Sequence, residues 1–132
     1  MLNSVKGSPN LPSAFSAQLQ GAYVEQLVET HLKMQHFQSL DKNFRCRLGE
    51  IDLIGLHQNH LVFVEVRFRR NTLFGGPAES VDYRKQQKLR KTAQFFLRKY
   101  PGYAKKACRF DVAAVTLEKG QYVIDWIRNA FC

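Results

Sequence analysis

The sequence predicts a single α/β domain with helices packed against a central mixed β-sheet, and three observations carry that class. Helical periodicity and β-favouring apolar runs alternate in the order helix, at most three strands, helix, two strands. The chain has 132 residues, which suits one domain and is too short for two. Hydrophobic residues make up 45% of it, ten of them Phe, so there is enough apolar surface for a real core.

Residues 1–13 hold Asn, Ser, Gly and two prolines without periodicity, and are expected to form a flexible tail ahead of a folded domain at 14–132. From about Ala14 to Phe37 the pattern is helical, with Val24, Leu27, Val28 and Leu32 on one face. Glu25 precedes Val28 by three residues and Leu32 by seven, so it leans toward that face. It is either a border residue of an amphipathic helix or an acid of a site.

Phe44 to Leu48 alternates with Arg45 and Arg47, so the first strand is expected to begin there and bend at Gly49. The runs GEIDLI at Gly49–Ile54 and LVFVEVR at Leu61–Arg67 follow, joined through His57, Gln58, Asn59 and His60 as a tight connection. Antiparallel pairing then makes Asp52 and Glu65 neighbours. Alternation places Glu50, Asp52 and Ile54 on one face of the first strand and Phe63, Glu65 and Arg67 on one face of the second. Two carboxylates side by side among Ile, Leu, Val and Phe repel each other and lose hydration unless something neutralises them, and a divalent cation does so best. The ordinary alternative for an acid on a strand is a basic partner, here Arg45, Arg47, Arg67 or Arg69. Asp52 followed about a dozen residues later by Glu65-x-Arg67 is a variant of the Asp...(Asp/Glu)-x-Lys pattern of metal-dependent nucleases.

Asn71 to Ala78, with Gly75, Gly76 and Pro77, has turn chemistry and is expected to be a loop, either a plain connection or a flap over a substrate backbone. Ser80 to Tyr100 reads as a second helix that buries Leu89, Ala93, Phe96, Leu97 and Tyr100 and ends at Pro101-Gly102. Arg84, Lys91 and Arg98 recur every seven residues on its other face, a solvated stripe or a row of phosphate contacts. Lys85 lies at the edge of the apolar face, toward the acidic pair, and Gln86 on the buried arc needs a polar partner. Phe110 to Leu117 and Gln121 to Ile127 are the last two strands, joined through Lys119-Gly120 and followed by a short tail. Asp111 is expected to pair with Arg109 or another basic residue, Trp126 to join the core, and His31, His36, His57 and His60 to be surface or helix residues outside any metal site.

Lys and Arg outnumber Asp and Glu by 20 to 11, giving a net charge of +9, which favours a polyanionic partner such as nucleic acid. Cys46, Cys108 and Cys132 lack CxxC spacing, so neither a disulfide framework nor a zinc site is expected, and the thiols suit a reducing compartment. No apolar run approaches the roughly 20 residues of a membrane span, so no membrane partner is expected and the cytoplasm is the expected location.

GAYVE at Gly21–Glu25, GEIDLI at Gly49–Ile54, VFVEVRFR at Val62–Arg69, FGGPA at Phe74–Ala78, KQQKL at Lys85–Leu89 and CRFDV at Cys108–Val112 together closely resemble the YraN family. The resemblance runs from about Gly21 to Phe131. It implies a restriction-endonuclease-like fold similar to that of Holliday-junction resolvases, with an activity inferred from that fold. It further implies Mg²⁺ or Mn²⁺ held by Glu25, Asp52, Glu65 and the Val66 carbonyl, and hydrolysis of phosphodiester bonds in DNA, branched DNA above all. Arg67 stands where the wider nuclease pattern has lysine; arginine stays protonated and can only orient water or stabilise charge, so Lys85 is the candidate replacement amine. Arg45, Arg47, Arg69, Arg84, Lys88 and Lys91 are the expected backbone contacts. A resolvase would act as a homodimer. The rivals are a DNA-binding protein that kept the fold without catalysis and an RNA nuclease.

Overall fold

The computed structural model describes residues 2–6, 17–69 and 81–131. Strand β1 (Leu2–Lys6) is followed by helix α1 (Ala17–Lys33), strands β2 (Gln38–Cys46), β3 (Gly49–His57) and β4 (His60–Arg69), helix α2 (Tyr83–Lys99), and strands β5 (Ala107–Glu118) and β6 (Gln121–Phe131). The predicted loop from Asn71 to Ala78 lies outside the described residues. The strands β2 to β6 form a five-stranded mixed sheet, which β1 extends to six in the order β1-β6-β5-β4-β3-β2. Among the described residues, only β4 and β5, the strands joined through α2, run parallel. The domain is the α/β, restriction-endonuclease-like class expected.

Two apolar layers sandwich the sheet. Val24, Val28 and Leu32 of α1 pack with Leu53, Val62, Val64, Ala113, Val115 and Trp126. Leu89, Ala93 and Phe96 of α2 pack with Ile51, Ile54, Leu61, Phe63, Val112 and Ala114. The alternation Val62 and Val64 to one side, Leu61 and Phe63 to the other, is what a strand buried on both faces requires.

The element ends follow from local chemistry. Helix α1 stops short of the predicted Phe37 because His36 takes a positive φ of 70°, while the N–H of Phe37 bonds the carbonyl of Leu32 at 3.1 Å. This closure returns Phe37 to the core, and the sequence has no Gly there to announce it. Gln58 and Asn59, at φ 50° and 62°, form the two-residue type I′ turn between β3 and β4. Asp82 caps α2 by accepting the Lys85 N–H at 2.8 Å.

Four expectations are corrected. Leu2–Lys6 pairs with the outer edge of β6, so the start of the presumed tail belongs to the sheet; an edge strand offers unpaired backbone groups that a short extended segment can satisfy. β2 is a separate strand that begins at Gln38 and turns back at Arg47 and Leu48, where a strand bent at Gly49 was expected. The presumed tail after Ile127 continues β6 to Phe131, whose ring stacks on Phe110 with centroids 5.1 Å apart. Finally, Glu50, Asp52 and Ile54 do not share a face by simple alternation. Ile51 and Ile54 both pack beneath α2 whereas Leu53 packs beneath α1, so the strand slips out of step at Asp52. Asn43, at φ 53°, stands across from it between the pairs Lys42↔Leu53 and Phe44↔Ile51.

Candidate active site

The slip at Asp52 opens the sheet. Registered pairing of β3 with β4 runs from His57↔His60 to Leu53↔Val64, and one step further Asp52 lies beside Glu65. There the Val66 N–H donates to Asp52 Oδ2 at 2.8 Å, a side-chain oxygen in place of a strand carbonyl. The result is a cleft of about 480 Å³ lined by Glu25, Gly49, Glu50, Asp52, Glu65, Val66, Arg67, Lys85, Lys88 and Leu89. α1, β3, β4 and α2 each contribute.

The carboxylates in this cleft are unequally provided for. Glu65 is 5% exposed and has Lys85 Nζ at 3.1 Å and Arg67 Nη1 at 3.6 Å from the same Oε2. Lys85 thus reaches the acidic pair, the direction its spacing on α2 predicts. Burial, and then the charge of Glu65, push the carboxyl of Asp52 up to about 8 against the pull of the Val66 N–H. Burial likewise raises Glu25, opposed by a hydrogen bond from Asn43 and reinforced by the charge of Glu50. Asp52 and Glu65 lie side by side where the ladder opens, and Glu25 and Glu50 line the same cleft. Oxygen donors of this kind suit a hard divalent cation. Among the described residues, no three His, Cys, Asp or Glu side chains converge as a finished metal cage, and Asn43 is the neighbour that the sequence analysis missed.

The predicted basic contacts divide. Arg45 is tied to Glu50 at 2.7 Å, and Arg69 is exposed at the end of β4, where it donates to the Phe68 carbonyl at 3.0 Å. Arg47 is exposed in the β2–β3 turn. Arg84, Lys88 and Lys91 lie exposed along α2, Lys88 at the lip of the cleft.

A second buried polar group was read only in part. Asp111 pairs with Arg109, as expected, at 2.9 Å. It also accepts Trp126 Nε1 at 2.8 Å and the Asn129 N–H at 2.9 Å, while Arg109 Nη2 reaches His57 Nδ1 at 2.9 Å. His57 is therefore a buried member of this network and not a surface residue, packed with its ring centroid 4.7 Å from that of Trp126. His57 and Arg109 are far apart in sequence, and nothing in either segment announces the meeting.

Residues 24–115 match the family described as "Uncharacterised protein family UPF0102", a span that contains every residue of the cleft. A UPF0102 protein of Stutzerimonas stutzeri is 49% identical over 115 residues, covering 87% of this chain and 96% of its own. One of Saccharophagus degradans is 50% identical over 111 residues, covering 84% and 91%. One of Pseudomonas aeruginosa is 45% identical over 118 residues, covering 88% and 94%. Full-length likeness at this level leaves one assignment: the chain belongs to the UPF0102 family, the YraN family of its sequence resemblance.

Proposed function

We propose that the protein is a Mg²⁺- or Mn²⁺-dependent endonuclease that hydrolyses phosphodiester bonds in structured DNA. The observation that carries this reading is the Asp52–Glu65 pair, set side by side in an open cleft that Glu25, Lys85 and Arg67 also line. Asp52, Glu65 and the Val66 carbonyl, with Glu25, are the residues that would hold the cation. When bound, the ion supplies an acidified water and charge for the scissile phosphate. Asp52 must release its proton to serve as a ligand, so cation affinity should rise with pH through about 8.

The remaining residues position and neutralise. Arg67 is held beside Glu65 and places a permanent charge where charge develops on the phosphate. Lys85, already 3.1 Å from Glu65, sets a positive charge against that carboxylate and supplies the amine that Arg67 cannot. Exposed Arg47, Arg69, Arg84 and Lys91, with Lys88 at the lip, would hold the DNA backbone, which carries shape and little sequence information. One observation favours a second reading, a binding protein without turnover: Lys85 and Arg67 both already neutralise Glu65.

The test is incubation of wild type and Glu65→Gln with labelled four-way junction, flap, single-stranded DNA and RNA in Mg²⁺, Mn²⁺ or EDTA. Metal-dependent cutting by wild type alone is the expected outcome. Equal binding without cutting by both proteins would replace the nuclease with the binding protein.

A further inference from the structure

Helix α2 carries seven cations, Arg84, Lys85, Lys88, Arg90, Lys91, Arg98 and Lys99, and no Asp or Glu. At 3.6 residues per turn, Arg84, Lys88, Lys91, Phe95 and Arg98 fall on one narrow stripe, and all five are exposed. Among the described residues, no carboxylate lies within ion-pair distance of the four cations of this stripe. Like charges three and four residues apart weaken a helix, so fold stability does not explain the pattern. A polyanion laid along the stripe would.

The aromatic member sets the kind of polyanion. Phe95 is 37% exposed in the middle of the charged row, with its ring centroid 6.2 Å from that of the buried Phe44. Contact with Phe44 steadies the ring while part of it stays open to solvent. A steadied aromatic ring flanked by cations is what a flipped or unpaired base stacks on while the neighbouring phosphates are held. Bases in an intact duplex are already stacked and cannot reach such a ring. From Arg84 to Arg98 the helix rises about 21 Å, against about 3.4 Å per nucleotide, which is roughly six nucleotides. Lys88, the second residue of the row, also lines the acidic cleft.

We infer that the outer stripe of α2 is a track for a single-stranded stretch of DNA, with Phe95 as its base-stacking platform and Arg84, Lys88, Lys91 and Arg98 as its phosphate contacts. This rests on the reading of the chain as a protein that acts on nucleic acid, and deepens it. The substrate would carry an unpaired strand next to the scissile bond, as flaps and opened junctions do.

The test is fluorescence anisotropy in EDTA, with the full chain, using an oligothymidylate of about twelve nucleotides, the matching oligouridylate and a duplex of similar length. Phe95→Ala should weaken oligothymidylate binding about fivefold or more, the low end for losing one base–aromatic stack, and leave duplex binding unchanged. Phe95→Leu, which keeps an apolar contact with Phe44, should lose as much, and Phe95→Trp should retain wild-type affinity. If oligothymidylate and duplex binding fall together, or neither falls, the stacking platform is wrong. Tighter, Phe95-dependent binding of oligouridylate would overturn the assignment to DNA. Wild type that binds none of the probes would overturn the nucleic-acid reading itself.

Discussion

Asp52 and Asp111 are two largely buried aspartates of one sheet, and the protein treats them in opposite ways. Asp111, 0% exposed, accepts two hydrogen bonds from Arg109 at 2.9 Å, one from Trp126 and one from the Asn129 N–H. Its charge is matched and its lone pairs are filled, on the α1 side of the sheet. Asp52 has one backbone N–H and a second carboxyl that repels it, at a place where the β3–β4 ladder has opened. A buried carboxylate that is fully provided for holds a fold together. One that is left short, in a cleft, is a place for something to bind.

The largest effect expected from this contrast is at Asp111. Asp111→Ala leaves Arg109 buried without its counter-ion and should cost about 3–5 kcal/mol, a large part of a small domain's stability. Urea unfolding followed by circular dichroism measures it, and a loss below about 1 kcal/mol would place the pair with replaceable surface ion pairs. Asp52→Asn should do the opposite. The folded carboxyl of Asp52 sits near 8 against an ordinary 3.8, so the folded state binds the extra proton between those values. Stability therefore falls as pH rises through that window, with a slope of at most about 1.4 kcal/mol per pH unit for one proton. In EDTA, the difference in urea midpoint between Asp52→Asn and wild type should widen in the variant's favour from pH 5 to pH 8. A constant difference would mean that Asp52 is ionised throughout.

The same contrast separates what the sequence disclosed from what it could not. Asp52 and Glu65 were legible because pairing and the tight turn at Gln58-Asn59 are local, and an acid inside an apolar run is conspicuous. Lys85 was legible from helical spacing alone. The slip in β3 that turns Asp52 toward Val66 was not, because alternation assumes a regular strand and the irregular partner Asn43 lies on another one. The network of His57, Arg109, Asp111 and Trp126 was half legible: Arg109 and Asp111 are two residues apart, but the register that brings β3 and β6 onto them is a tertiary fact. β1 escaped notice because a five-residue edge strand with two apolar residues, Leu2 and Val5, satisfies backbone groups and leaves little trace in hydropathy.

Lys85 tests the cleft more gently. Lys85→Ala removes the nearest cation from Glu65, and on the proposed reading cleavage should drop by about 10²-fold, within the range for loss of one positioned proton donor or charge. Stability should change little, because the lysine side chain is 41% exposed and exposed pairs contribute about 0–1 kcal/mol. Untouched cleavage in the variant would remove Lys85 from the chemistry and leave Arg67 as the cation that matters.

The smallest effect belongs to His57, and it sharpens the comparison by its sign. Its Nδ1 faces Arg109 Nη2 at 2.9 Å, so the ring must accept there and carry its proton on Nε2, toward the Gln35 carbonyl. Burial, then the charges of Arg109 and Arg128, hold the imidazole below its ordinary 6.5, although Asp111 and the Gln35 carbonyl pull the other way. The unfolded chain therefore takes up a proton at a pH where the folded one does not, so this contribution is intact above about 6.5 and is lost as pH falls toward the folded value. His57→Gln, which keeps an acceptor for Arg109, should cost about 1 kcal/mol at pH 7.5 and progressively less as the solution is acidified. Urea midpoints for the two proteins between pH 5 and pH 7.5 measure the change. A difference that stays constant would mean that the ring titrates alike in the folded and unfolded chain, and one that grows on acidification would mean that the ring is charged in the fold and that the network around Asp111 tolerates a third cation.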